Sequence, residues 1–286
     1  MSRIVYVNGS YVPEEEAKVS VFDRAFLMAD GIYEVTTVVG GKLIDFAGHM
    51  ARLGRSLAAL KMTAPADAEA LLAIHRELLA RNDLDEGLIY LQITRGSADR
   101  DFAFPPEGTP PTLVLFTQKV AVLERASAIN GIKVASMPDL RWGLRDIKTV
   151  QLLYPSMAKM EAKAKGADDA WMVEADGMVT EGSSNNAYIV TQDGTLVTRA
   201  LSHSILHGIT RLAVLRLARE TGLTVEERSF SLDEAKAAKE AFITSASAFV
   251  TPVVSIDGQA IGDGLPGETT KQMRKIYIAE SLQTAI

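Results

Sequence analysis

Asx-Gly pairs punctuate this chain, among them Asn8-Gly9, Asp176-Gly177, Asp193-Gly194 and Asp257-Gly258. Such pairs accept the left-handed backbone of tight turns, and between apolar runs they mark hairpins. Ile4–Val7 and Tyr11–Val12 flank the first pair, and the other three join short strands in the second half. Tyr33–Val39 is rich in β-branched residues, and Gly40-Gly41 turns it back into Lys42–Phe46. Two more strands are predicted over Leu88–Thr94 and Thr112–Thr117. Between these strands the period changes. Met50, Leu53, Leu57 and Leu60 recur at helical spacing, and a second helix is predicted over Ala66 to Arg81. Strands and helices in this order make an α+β chain.

At 286 residues the chain divides into two domains, 1–120 and 121–286, with a short linker near 119–128 where the strand pattern stops. Pro105-Pro106 and Pro110-Pro111 bracket an irregular loop before that boundary. A strand over Gly131–Ala135 opens the second part. Later comes a helix over Ile209 to Glu220 with Gly222 as its stop signal. Ser231 and Glu234 have capping-box spacing before another short helix.

Charge and cysteine content exclude some partners. The formal net charge is −6 and both signs are mixed along the chain, whereas nucleic acid needs a concentrated basic face. There is no cysteine, so disulfides and thiolate metal sites are excluded and a cytoplasmic location is expected. No basic segment precedes an apolar run at the N-terminus, and no apolar stretch reaches the ~20 residues of a membrane span. Gly262–Gly267 spells GxGxxG, but the chain ends before the strand and acidic residue of a dinucleotide site. His203 and His207 are spaced i,i+4 with no third ligand in view, and no metal is expected.

Chemistry concentrates in two places. Lys148 lies in Asp146-Ile147-Lys148-Thr149, followed closely by Leu152, Leu153 and Tyr154, so its segment is expected to be partly buried. Burial disfavours the charged amine and makes it nucleophilic. Glu181 opens Thr180-Glu181-Gly182-Ser183-Ser184-Asn185-Asn186, just before the apolar run Ala187–Val190. Taken alone, Glu181 caps a turn or binds an arginine. Gly208-Ile209-Thr210 begins a helix, which is either an ordinary cap or an anion site built from free amides. Arg52 lies beside the apolar stripe, where a snorkelling surface side chain is the simplest expectation.

The Lys148 and Glu181 motifs together resemble the fold-type IV family of pyridoxal-phosphate enzymes. The resemblance runs from Val5–Gly9 to the C-terminal helix. It implies the two-domain α+β architecture of the D-amino-acid aminotransferase-like proteins, a homodimer, and pyridoxal 5'-phosphate as cofactor. In this family the lysine matching Lys148 forms the Schiff base and moves the substrate proton. The glutamate matching Glu181 faces the pyridine nitrogen. Arg52, Ile209 and Thr210 are implied as phosphate anchors. So are Ser245 and Ala246 in Thr244-Ser245-Ala246-Ser247, although Ala246 lacks the hydroxyl common there. Arg52 would give two directed bonds from its planar fork. Leu206 matches an apolar residue over the ring, compatible also with a core role.

The stretch around Glu181 is closer to the D-amino-acid transaminase version of the motif. D-specific members trap the substrate carboxylate with a tyrosine, an arginine and a histidine; Tyr33 and Arg100 match, and Phe102 replaces the histidine. One charge-assisted bond is thereby removed, worth about 1.5–3 kcal/mol. The implied reaction moves an amino group from a D-amino acid, such as D-alanine or D-glutamate, to a 2-oxo acid. Branched-chain L-amino-acid transaminases, (R)-amine transaminases and aminodeoxychorismate-type lyases share the fold and remain alternatives. A non-catalytic cofactor-binding protein is the reading from a different class.

Overall fold

The computed structural model describes residues 2–286. It divides into two compact units: Met1–Ala121 with Ile147–Gln151 and Thr284–Ile286, and Val122–Asp146 with Leu152–Gln283. The unit changes between Ala121 and Val122. The short segment that carries Lys148 groups with the first unit, although it follows residue 121 in sequence.

The first unit begins with β1 (Ile4–Val7) and β2 (Ser10–Pro13), then α1 (Arg24–Met28), β3 (Gly31–Val39) and β4 (Lys42–Leu43). There follow α2 (Phe46–Ala59), α3 (Ala68–Asn82), β5 (Gly87–Thr94) and β6 (Thr112–Lys119). The strands form one antiparallel sheet in the order β2-β1-β6-β5-β3-β4. Asn8 and Gly9 both adopt positive φ, +46° and +95°, as a two-residue hairpin with the strand twist requires. Along β5, Ile89, Leu91 and Ile93 are buried, whereas Tyr90 and Gln92 are only half-covered. On that second face Tyr90 stacks between Tyr33 and Phe116, with centroids at 5.5 and 4.8 Å.

Two local expectations change here. Phe46 starts α2 rather than ending a strand, because Asp45 in the left-handed region (φ +52°) turns the chain first. The buried face of α2 is Phe46, His49, Arg52, Leu53, Ser56 and Leu57, while Met50 and Leu60 are half-buried. Three polar side chains therefore share the inward face with the apolar ones.

The second unit holds α4 (Ala126–Asn130), β7 (Ile132–Pro138), α5 (Leu153–Ala164), β8 (Asp169–Val173), β9 (Val179–Gly182) and β10 (Asn186–Val190). Next come β11 (Leu196–Thr198), α6 (Ile209–Glu220), β12 (Val225–Glu227) and α7 (Leu232–Lys236). The last elements are β13 (Glu240–Ser245), β14 (Phe249–Ile256), β15 (Gln259–Ala260) and α8 (Glu268–Thr284). Its sheet runs β12-β11-β10-β13-β14-β7-β8-β9, with β15 added to β14. The pairs β11–β12, β14–β7 and β7–β8 are parallel. β10 is buried at every position, as its apolar run predicts. Ser231 caps α7 by accepting from the Glu234 amide at 3.0 Å. The reciprocal half of the capping box is replaced by ion pairing, since the Glu234 carboxylate takes Arg228 at 2.7 Å.

Candidate active site

In the first unit, Lys148 is held by backbone pairing to β3. Its carbonyl accepts from the Tyr33 amide at 3.0 Å, and Val150 donates to the Gly31 carbonyl at 3.0 Å. The Lys148 amide donates to Ser56 Oγ at 3.4 Å. These bonds replace a helix or strand of its own as the source of rigidity. Lys148 Nζ lies 4.0 Å from the centroid of the Tyr33 ring, within cation–π range. Ile147 and Thr149 are buried and Lys148 is half-buried. The expected cover from the following residues is absent: Leu152 is 38% and Leu153 76% exposed, because α5 begins at Leu153 and turns that side outward.

Beside Ser56 on the buried face of α2 sits a buried ion pair. Arg52 is 4% exposed and therefore does not snorkel. Its Nε and Nη2 donate to Glu34 Oε1 and Oε2, both at 2.7 Å, and His49 Nδ1 meets Glu34 Oε2 at 2.8 Å. The two-pronged edge expected for a phosphate thus faces a carboxylate on β3. Burial raises the Glu34 pKa, but the Arg52 guanidinium, helped by the His49 contact, overcomes it and holds the carboxyl down at about 2.

Arg100 is exposed, with its guanidinium 5.4 Å from the ring of Phe102, itself 79% exposed. The loop under them is anchored firmly. Buried Arg24 donates to the carbonyls of Asp101 and Ala103 at 2.9 and 3.2 Å, and Asp30 binds both Arg24 and Arg95.

In the second unit, Glu181 sits on β9 with 3% exposure. Its Oε1 accepts from Arg141 Nη1 at 2.6 Å, and its Oε2 from Asn186 Nδ2 at 2.9 Å. The Leu206 amide donates to both oxygens, at 3.2 and 3.0 Å. Glu181 therefore binds an arginine, though a half-buried one rather than one on the surface. Burial pushes its carboxyl up; Arg141 and the Leu206 amide pull against that without cancelling it. Behind Arg141, Asp139 is also buried, but hydrogen bonds from Arg141 and Thr180 outweigh burial and lower its pKa.

Local geometry explains the small residues of the motif. Asn186 Nδ2 also donates to the Leu206 carbonyl at 2.9 Å, tying the strand to the approach of α6. A Cβ on Gly208 would run into Asn186 Oδ1, and one on Gly182 into the side chain of Asn185. Asn185 and Ser183 both donate to buried Asp169, and so close the turn between β9 and β10. Glycine at 208 also leaves the start of α6 without a side-chain cap. Ile209 and Thr210 follow, both buried, with Thr210 Oγ1 3.4 Å from the Tyr277 hydroxyl. Ser245 and Ala246 lie at the β13–β14 turn, where Ser245 Oγ accepts from the Ala248 amide at 3.1 Å and Phe249 takes φ +57°. Arg274 of α8 fastens this turn by donating to the Ala248 and Val250 carbonyls, both at 2.9 Å.

Each unit thus gathers part of the expected set. Lys148 and Tyr33 are in contact in the first unit, with Arg52 one helical turn from Ser56. Glu181 and Leu206 are bonded in the second, with Asn186 joining them to the start of α6. Sequence reasoning missed Glu34, Asp139 and Arg141, and assigned no role to Asn186. The available signals were Asn186 inside the motif and the Asp139-x-Arg141 charge pair, which has no periodicity to orient it. Among the described residues no cluster of three or more His, Cys, Asp or Glu side chains could hold a metal, and no helix is long and apolar enough to cross a membrane.

The chain matches the model of the amino-transferase class IV family over residues 31–256. It is 36% identical to the D-alanine aminotransferase of Staphylococcus aureus (strain N315) over 273 residues, covering 95% of each chain. With the D-alanine aminotransferase of Bacillus licheniformis it shares 38% identity over 270 residues, 94% of each. Among solved structures, the branched-chain amino acid aminotransferase of Escherichia coli superposes with a TM-score of 0.89 at 25% identity, covering 98% of this chain and 95% of that one. The branched-chain aminotransferase of the thermophilic archaeon Thermoproteus uzoniensis, solved with norvaline, gives 0.87 at 28% identity, with 99% and 96% covered.

Proposed function

The chain belongs to the amino-transferase class IV family, and on that premise we propose that it transfers the amino group of a D-amino acid, D-alanine or D-glutamate in the first instance, to a 2-oxo acid. The observation that carries this reading is the Glu181 carboxylate: buried, surrounded by donors, and set in the motif that resembles D-amino-acid transaminases. Sequence identity of 36–38% to two D-alanine aminotransferases over nearly the full length supports the D-amino-acid donor.

The donor set fits pyridoxal phosphate. A buried acceptor suits a ring N–H, a glycine-led helix start suits a phosphate, and a half-buried lysine suits an aldehyde. When bound, the cofactor supplies that aldehyde and an electron-withdrawing ring. Lys148 Nζ is assigned to carry it and then to move the proton at the substrate α-carbon, with Tyr33 beneath the amine. Glu181 would hold a proton at the ring nitrogen, Leu206 would cover the ring, and the α6 amides of Ile209 and Thr210 would hold the phosphate with Ser245 and Ala246. The Nε–Nη2 edge of Arg52 is committed to Glu34, so that edge does not supply the two-pronged phosphate contact expected of it.

A homodimer is part of the proposal. Val21, Phe22, Phe26, Phe102 and Phe104 are all exposed, and the two segments that carry them are joined by the Asp23–Ser97 bridge and the Ala98-to-Phe22 backbone bond. An apolar patch of this kind is covered in stable proteins, here by a second copy. Arg100, exposed on the same loop, then reaches the carboxylate of a substrate held by that copy. In a chain without cysteine, the reducing cytoplasm is the compartment we propose.

Phe102 favours one second reading, an (R)-amine donor that needs no carboxylate trap. Visible absorbance separates the two. The protein is loaded with pyridoxal phosphate and mixed separately with D-alanine, D-glutamate, L-leucine and (R)-1-phenylethylamine. Bleaching of the cofactor band by the D-acids alone is the expected result. Bleaching mainly by the amine or by L-leucine reassigns the substrate, and a missing band removes the proposal.

A further inference from the structure

Behind Glu181 the second unit carries an alternating line of charge. It runs Glu181, Arg141, Asp139, Arg145, Glu174, Arg199, with successive ion-pair distances of 2.6, 2.7, 3.5, 2.9 and 2.5 Å. Three anions thus meet three cations. The order matters most at its buried end. Asp139 takes Arg141 by two bonds, Nε to Oδ1 at 3.0 Å and Nη2 to Oδ2 at 2.7 Å. Thr180 Oγ1 donates to Asp139 Oδ2 at 2.6 Å and keeps that carboxylate from turning. A guanidinium is planar and rigid, so gripping one edge fixes where the third nitrogen points. That nitrogen, Nη1, points at Glu181 Oε1.

Three donors therefore surround Glu181: Arg141, Asn186 and the Leu206 amide. All three face it through N–H groups, which make four hydrogen bonds to its two oxygens. A carboxylate offers about four acceptor positions only while it is ionised, so the cage suits the anion.

We propose that Arg141, gripped by Asp139, is a positioning residue that presents Glu181 as an oriented anion to the cofactor ring nitrogen. This rests on the proposed role of Glu181. Desolvation drives the Glu181 carboxyl towards its neutral form, and Arg141 is the first force that opposes it. Without Arg141 the remaining donors are an amide side chain and a backbone amide, neither of them charged. Arg145, Glu174 and Arg199 extend the line outwards, and Arg145 gives Asp139 a second cation.

The test uses the full-length protein with pyridoxal phosphate and compares Arg141→Gln, Arg141→Lys, Asp139→Asn and Glu181→Gln. Cofactor dissociation constants, visible spectra from pH 6 to 9, and kcat and KM for D-alanine are measured for each, with thermal melts as a folding control. For Arg141→Gln the expected loss in kcat is about 10–100-fold, the range for removing an orienting partner. KM stays within about threefold, the cofactor binds more weakly, and the spectrum gains a pH dependence that the parent lacks. Arg141→Lys restores part of the kcat, because it keeps the charge and loses the fork. Asp139→Asn moves the same readouts in the same direction by less. Parent-like kcat and spectrum in Arg141→Gln, with turnover lost in Glu181→Gln, overturn the positioning role and leave the proposed function intact. Parent-like turnover in Glu181→Gln overturns the assignment on which both rest. If Arg141→Gln fails to fold, parent-like behaviour of both Arg141→Lys and Asp139→Asn is the overturning result.

Discussion

Two buried carboxylates that face arginines, Glu34 in the first unit and Glu181 in the second, behave in opposite ways. Glu34 in the first unit is fully buried and its carboxyl is held at about 2; Glu181 in the second is 3% exposed and its carboxyl is pushed up. Partner geometry makes the difference. Arg52 gives Glu34 a two-pronged pair and His49 adds a third contact. Arg141 gives Glu181 a single nitrogen, because its other edge belongs to Asp139. A doubly bonded pair recovers its desolvation cost more completely than a singly bonded one. Glu34 therefore belongs to the scaffold, whereas Glu181 is the carboxylate proposed to meet the cofactor.

The sharpest separation comes from removing the two charges. Glu34→Gln leaves Arg52 buried without its anion and is expected to cost about 3–5 kcal/mol in urea denaturation. Glu181→Gln is expected to lower kcat on the order of 10²-fold while costing much less stability, because Arg141 keeps Asp139. Equal stability losses in the two variants would erase the distinction between scaffold and site.

Acid titration tests the same contrast through its sign. Glu34 has a lowered pKa, so its stabilisation is present above about 4.5 and lost as the pH falls towards about 2, ~3 kcal/mol in all. Glu181 has a raised pKa, so it contributes the opposite slope, with stability falling as the pH rises above 4.5. Denaturation of Glu34→Gln should thus show a flatter acid limb than the parent, and Glu181→Gln a steeper one.

His75 adds an earlier step in the first unit. It is fully buried, its Nε2 has no hydrogen-bond partner among the described residues, and burial lowers its pKa from 6.5 to about 4. The unfolded chain binds that proton first, so stability is complete above about 6.5 and declines as the pH falls towards 4. His75→Leu should flatten the stability profile between those values, and an unchanged profile would assign the acid sensitivity elsewhere. The smallest effect is expected from Gly208→Ala, whose methyl displaces Asn186 from Glu181. Overpacking of this kind costs about 1–3 kcal/mol, and calorimetry should find it together with a few-fold weaker cofactor affinity.

Most of the strands and helices were legible because their periods are local. The alternation of Leu88–Thr94, the Asn8-Gly9 hairpin and the Ile209–Glu220 helix all follow from neighbouring residues. Phe46 was misplaced because one left-handed residue, Asp45, decides it and Asp is only weakly suited to that region. For the proposed site, Lys148 and Glu181 were singled out by the resemblance of their motifs to the fold-type IV family. Arg141 and Glu34 were not legible, since their roles depend on partners 40 and 18 residues away in sequence.

By itself, then, the sequence determined the α+β class, the hairpins, the motifs and the family to which they point. Only the tertiary structure decided which guanidinium edge meets which carboxylate. It turned Arg52 towards Glu34, gave Arg141 to both Asp139 and Glu181, and uncovered Leu153 at the start of α5. The reason is physical: period and turn chemistry act over a few residues, whereas desolvation and hydrogen-bond direction depend on segments brought together by the finished sheets.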